Sequence, residues 1–153
     1  MGIFDEQIAF LDTIEAKLFS TMRNALRSNG IDLEEAISKD QLYDRGVDGN
    51  NKPLRNKKTG RLGYKRTTIR IKIAKGQPVD RITLRDENKF HPSITIEAND
   101  AFFIISSNVT HAKHLINNYG EDILRPTTEN MLKFFNTHVL PNLKRFINER
   151  TTG

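Results

Sequence analysis

Residues 93–107, SITIEANDAFFIISS, decide the predicted fold class. Ile94 and Ile96 alternate with polar residues, and this two-residue period indicates a β-strand with one buried face. The tripeptide at 99–101, NDA, fits the tight turn of a hairpin. The run from Phe102 to Ile105 is entirely apolar, which predicts a second strand that is covered on both faces.

Sequence on either side of this hairpin extends the prediction. Residues 81–86, RITLRD, read as a further short strand. Near the N-terminus, apolar residues recur at three- and four-residue steps, as on the buried face of a helix. They are Phe4, Ile8, Leu11, Leu18, Met22, Ala25 and Leu26. Asn29 and Gly30 are expected to end this helix, and Asp32 to cap a second, shorter one.

The last part of the chain predicts a long closing helix. Its cap is expected at Thr127 or Thr128, and Pro141 is expected to kink it because proline lacks a backbone donor. The predicted fold class is therefore α+β, with N-terminal helices, a small antiparallel sheet or hairpin in the middle, and a long C-terminal helix. The 153 residues suit one domain. Its parts are a helical 1–46, a basic arm 47–76, a β-sheet 77–109 and C-terminal helices 110–150.

Charge is segregated along the chain. Residues 51–76, which we call the basic segment, hold ten of the 24 Lys and Arg residues and none of the 19 Asp and Glu. The net charge of the whole chain is +5, so the chain outside the basic segment is net −5. Such segregation favours oriented contact with something acidic, including another copy of the chain. The predicted partner- or DNA-contacting residues are Lys52, Arg55, Lys57, Lys58, Arg61, Lys65, Arg66, Arg70, Lys72 and Lys75.

The conformation of the basic segment is predicted only in part. Residues 44–66 are polar and rich in Gly and Asn, which indicates a projecting loop or arm. We expect the whole basic segment, residues 51–76, to be mobile in an isolated subunit, because like charges repel. In TTIRIKIAKG, residues 67–76, isoleucines alternate with cations as in a strand, yet Gly76 is equally suited to end a helix.

Composition and motifs argue against several classes of protein. The chain has no Cys, no recognisable signal peptide and no apolar run near 18 residues, so we expect a protein made in a reducing cytoplasm with no membrane partner. His111 and His114 are spaced to share one metal, but no third ligand accompanies them. Asp80, Glu87 and Lys89 loosely match a Mg²⁺-dependent nuclease pattern. We predict no catalytic residue, no metal site and no cofactor.

One run of residues resembles a known family. A Pro-Leu pair, a basic stretch with Thr and a glycine precede the pattern Leu-x-Asp-x-x-x-Phe-x-x-Ser-Ile. The matching positions are Pro53, Leu54, Thr68, Gly76, Leu84, Asp86, Phe90, Ser93 and Ile94. They resemble the signature of the tail-completion, or virion-morphogenesis, proteins of tailed bacteriophages, over roughly residues 40–147. Where that family has Thr-Gly, this chain has Glu87-Asn88; Asn adopts positive φ more readily than other residues with a side chain, so the turn is expected to survive.

The resemblance implies a function. It implies a small structural subunit that forms a ring at the phage neck, acts as a head–tail connector and carries out no catalysis. The implied partners are further copies of the chain, the portal or other neck and tail proteins, and packaged DNA. The implied location is the virion, after synthesis in the bacterial host cytoplasm. The family also implies a short basic helix over 64–75. The alternative is a sequence-independent nucleic-acid-binding protein that acts through the basic segment.

Overall fold

The computed structural model describes residues 2–100 and 102–152. Within these residues, the chain forms helices and a single two-stranded sheet, so the predicted α+β class is confirmed. The elements in chain order are α1 (Ile3–Glu35), a π-helical segment (Ala36–Arg45), α2 (Arg66–Ala74), β1 (Ile94–Ala98), β2 (Phe103–Ser107), α3 (Ala112–Tyr119), α4 (Thr128–Phe134), a second π-helical segment (Phe135–Val139) and α5 (Leu140–Thr151). Short 3-10 turns occupy His91–Ser93 and Glu121–Leu124.

The predicted hairpin is present. β1 and β2 pair antiparallel, with Ile94 opposite Ser107 and Ala98 opposite Phe103. The amide of Asn99 donates to the carbonyl oxygen of Phe102 at 3.0 Å, which closes the turn. Ala101, the third residue of the predicted turn, lies outside the described residues.

The expectation that the second strand is covered on both faces is wrong for this chain by itself. The side chains of Phe102, Phe103 and Ile104 are exposed. The reason is the placement of the helices, because α1 packs on β1 and leaves β2 on the outer side. The apolar run from Phe102 to Ile105 therefore predicted the strand correctly but did not predict its exposure.

The predicted break between two N-terminal helices is present as a kink, although the expected cap is not. Asn29 leaves the helical region, with φ −130° and ψ 17°, and two helical stretches meet there. Asp32, the expected cap, lies inside the second stretch, which runs to Glu35 and continues as π-helix. Leu33 and Ile37 are completely buried beyond this kink. Burial of the apolar face beyond the kink holds the second stretch against the core.

The predicted strand at 81–86 is replaced by irregular, buried chain. Ile82, Thr83 and Leu84 are all buried, and Leu84 has φ 54°, which a β-strand does not allow. Two side chains make the hydrogen bonds to the backbone of Thr83 that a neighbouring strand would make in a sheet. The hydroxyl of Tyr64 accepts from its amide at 2.7 Å, and Nε2 of His91 donates to its carbonyl oxygen at 2.7 Å.

The closing helix begins as predicted, and its hydrogen-bond pattern changes ahead of Pro141. The hydroxyl of Thr127 accepts from the amide of Asn130 at 3.2 Å, which caps α4. The regular α-helical bonding changes to π-helical over Phe135–Val139, directly ahead of Pro141 in α5. No helix in the described part of the chain has both the length and the apolar composition that a membrane span needs.

Candidate assembly surfaces

The basic segment is tied to the body of the protein at several points. Leu54 is buried, and its amide donates to the carbonyl oxygen of Gly46 at 2.8 Å. The amide of Lys57 donates to the carbonyl oxygen of Asn118 at 2.7 Å. From Arg66 the segment forms α2, so the open choice between strand and helix is decided for helix. These contacts hold the two ends of the loop and α2 against the body of the protein.

Lys72 is a wrong prediction as a partner-contacting residue, because it is buried inside the protein. Its ammonium group donates to the carbonyl oxygen of Arg85 at 2.6 Å and to Oε1 of Gln77 at 2.9 Å. It also lies 4.6 Å from the ring centroid of Tyr64, where a cation–π contact is favourable. The ammonium group of Lys72 therefore has its partners inside the protein, and these contacts hold α2 against the body.

Three other cations of the segment have neighbours within the chain. Lys75 binds Asp86 at 2.5 Å, and this hydrogen bond holds the pKa of Asp86 below its ordinary value. Arg55 donates to the carbonyl oxygen of Gly60 at 3.0 Å. Lys57 packs over Gly120, where an added Cβ would lie 2.5 Å from its ammonium group.

The remaining six cations are exposed, and within the described chain their side chains make no hydrogen bond or ion pair. They are Lys52, Lys58, Arg61, Lys65, Arg66 and Arg70. Leu62 and Ile73 stand among them, each more than half exposed. The outcome is a surface that combines positive charge with apolar contact area, and we call it the basic face.

The residues of the family-like signature serve the structure. Asn88 has φ 57°, so the prediction that Asn can hold the turn is confirmed. Phe90 and Leu84 are buried in the core. Ser93 donates to the carbonyl oxygen of Phe90 at 2.6 Å and shares a hydrogen bond with the hydroxyl of Ser107. Together they fix the turn that leads into β1.

A second charged surface lies on the first half of α1, and the sequence reasoning missed it. Ile3 through Asp12 are exposed, so the predicted apolar face does not contact the body there. Residues 3–20, which we call the acidic arm, contain Asp5, Glu6, Asp12 and Glu15 against one cation, Lys17. The sequence contained a signal for this exposure. Carboxylates lie beside the apolar residues of this helix face, and a face buried in the core does not carry unpaired carboxylates.

A third uncovered surface is the outer edge of β2. The amide of Ile96 donates to Oε1 of Glu34 at 2.8 Å, away from β2, so Ile96 and its partner Ile105 form a non-hydrogen-bonded pair. The backbone groups of Ile105 therefore point to the outer edge. Beside it lies an apolar groove of about 590 Å³, lined in part by Leu124, Met131 and Leu132. An uncharged edge of this kind favours pairing with another chain.

The residues weighed for metal-dependent chemistry do not form a site in the described part of the chain. Glu87 and Lys89 bind one another at 2.5 Å, which lowers the pKa of Glu87 and raises that of Lys89. Asp80 binds the guanidinium group of Arg81 at 2.7 Å. No group of three or more His, Cys, Asp or Glu among residues 2–100 and 102–152 is placed to hold a metal ion.

No family model, curated protein or solved structure matches this chain. Its surfaces offer positive charge, negative charge and apolar area on three separate elements, an arrangement suited to binding other macromolecules.

Proposed function

We propose that the chain is a structural subunit that forms a ring at the neck of a tailed phage and joins the portal end of the head to the tail. The observation that carries this proposal is the separation of the basic face from the acidic arm on different elements of one chain. Complementary surfaces at different places on a subunit make a head-to-tail contact, and such contacts close into a ring when the rotation between subunits permits. The resemblance to tail-completion proteins supplies the biological setting.

Two further features support an assembly role. The uncovered apolar edge of β2 provides area for a neighbouring protein, such as the portal or another neck or tail protein. The exposed cations are also suited to the phosphates of packaged DNA in the neck, since such contacts carry no sequence information.

The proposal is tested in a phage that encodes the chain. Deletion of its gene should yield filled heads and finished tails that do not join, visible by negative-stain electron microscopy. Expression of the chain from a plasmid should restore joined particles. Normal particles from the clean deletion would refute the neck function.

A second candidate is a free protein that binds nucleic acid without sequence preference. The six exposed cations without partners favour it, because phosphate contacts need only accessible positive charge. Fractionation of purified virions separates the two candidates. A neck subunit stays with the purified particles at a fixed copy number, whereas a free binder does not.

A further inference from the structure

The acidic arm places charge and apolar groups on one face. Along an α-helix, Phe4, Ile8 and Leu11 fall on the same side as Asp5, Asp12 and Glu15. The three apolar side chains are each more than half exposed. This face is continuous with the one that α1 buries further along, at Leu26. The exposed residues 3–12 therefore extend this surface roughly 15 Å beyond the part of α1 that contacts the body of the protein.

The basic face has the matching composition. On α2, Arg66, Arg70 and Ile73 fall on one side of the helix, opposite the buried Lys72. Ile73 is more than half exposed, as is Leu62 in the adjoining turn. Cations on this face thus flank apolar side chains, just as carboxylates flank apolar side chains on the arm.

From this match we propose that the acidic arm of one copy docks on the basic face of the next copy, with α1 of one subunit lying along α2 of its neighbour. The inference rests on the proposed ring-forming function and names the two elements that make the ring contact. Buried apolar area supplies the attraction, and the charges select orientation and partner.

Charge favours the basic face of a second copy over the other possible partners of the acidic arm. Pairing of two arms would bring Asp12 and Glu15 against the same carboxylates of the second copy, and like charges at close range repel. Nucleic acid and anionic lipid surfaces repel the arm for the same reason. A second copy offers the cationic surface with exposed isoleucine that the arm requires.

Paired charge reversal tests the contact in the purified full-length chain. The arm variant carries Asp12→Lys and Glu15→Lys, and the face variant carries Arg66→Glu and Arg70→Glu. The matched controls are Glu6→Lys, on the opposite side of the arm, and Lys144→Glu, an exposed cation on α5. Sedimentation velocity at matched ionic strength measures association, and circular dichroism of each variant measures folding.

We expect each double variant alone to associate at least tenfold more weakly than the unmodified chain, and both controls to associate like it. An equimolar mixture of the arm and face variants should recover association, because each arm then meets a face of opposite charge. Recovery in the mixture also shows that both variants are folded.

The contrary outcomes separate this inference from the proposed function. If the unmodified chain forms a ring and the double variants form it equally well, the arm–face contact is wrong and the ring proposal stands. If both variants fail and their mixture does not recover, the arm and the face do not meet one another, and the inference is again wrong. If the unmodified chain stays monomeric, both the contact and the ring proposal are wrong.

Discussion

Nε2 of Gln41 donates a 2.8 Å hydrogen bond to the backbone carbonyl oxygen of Arg125. The other end of the same amide, Oε1, accepts from the backbone amide of Thr127 at 3.0 Å. Gln41 is completely buried. One side chain thus joins the first π-helical segment to the start of α4 and positions the C-terminal helices against the body.

Replacement of this amide should destabilise the fold. In Gln41→Leu the side-chain size is nearly kept, but the amide of Thr127 and the carbonyl of Arg125 are left without partners. We expect the free energy of unfolding to fall by about 2–4 kcal/mol, since each unsatisfied buried group costs about 1–3 kcal/mol. Urea denaturation measures this. The control Asn136→Leu, at an exposed position, should change stability by about 0.5 kcal/mol or less. Equal stability of the two variants would show that the bridge contributes nothing.

Stability should decline with acidity because of His91. Burial lowers the pKa of His91, so the folded state binds its proton less readily than the unfolded state. The unfolded state therefore takes up this proton first as the pH falls below the ordinary histidine value of about 6.5, and stability is lost in that range. Above that pH both states are neutral at this position and stability does not depend on it.

The variant His91→Gln isolates this effect. Its side-chain amide can still donate to the carbonyl oxygen of Thr83 but does not titrate. Thermal unfolding between pH 7.5 and 5 should show a smaller loss of stability for the variant than for the unmodified chain. Identical pH profiles would contradict the role assigned to His91.

The turn at Asn88 should tolerate Gly and resist Ala. The backbone there has φ 57°, a region that costs a side chain with a Cβ about 1–2 kcal/mol unless it is Asn or Asp. We expect Asn88→Gly to keep stability within about 0.5 kcal/mol and Asn88→Ala to lose about 1 kcal/mol. Denaturation midpoints compare the two directly. A more stable Ala variant would show that this backbone geometry is not held in solution.

Sequence patterns predicted those elements that depend on a few neighbouring residues. Alternation at Ile94 and Ile96 identified β1, and Thr127 identified the start of α4. The preference of Asn for positive φ identified the turn at position 88. Each of these depends on a few neighbouring residues and on little else in the fold.

Features decided by distant contacts were not predictable in this way. Leu33 lies on a face that the core buries, and this keeps the chain helical at Asp32, where a cap was expected. The prediction of an exposed Lys72 is wrong because sequence does not show that Arg85 and Gln77 surround it. The exposure of the acidic arm likewise depends on where the body of the protein ends.

Because Lys72 is buried, we expect it to take no part in phosphate binding, unlike the exposed cations of the basic face. Replacing Lys58, Arg61, Lys65 and Arg66 with Ser should leave the fold intact, because exposed charges contribute little to stability. If these residues bind DNA, the slope of log affinity against log salt should fall by about one for each cation that no longer meets a phosphate. Lys72→Met should leave that slope unchanged. Fluorescence anisotropy with a labelled DNA duplex, over a range of salt concentrations, measures the slope for each variant. A lower slope in Lys72→Met alone would contradict the assignment of Lys72 to the interior.

The central claim is that this chain closes on itself into a ring through surfaces of opposite charge. Sedimentation velocity and native mass spectrometry of the unmodified chain, over a wide range of concentration and at low and high salt, test it most directly. We predict one discrete oligomer of more than two copies, whose size does not grow with concentration and whose stability falls as salt screens the contact. A chain that remains monomeric, stops at a dimer, or forms open-ended polymers would contradict the account.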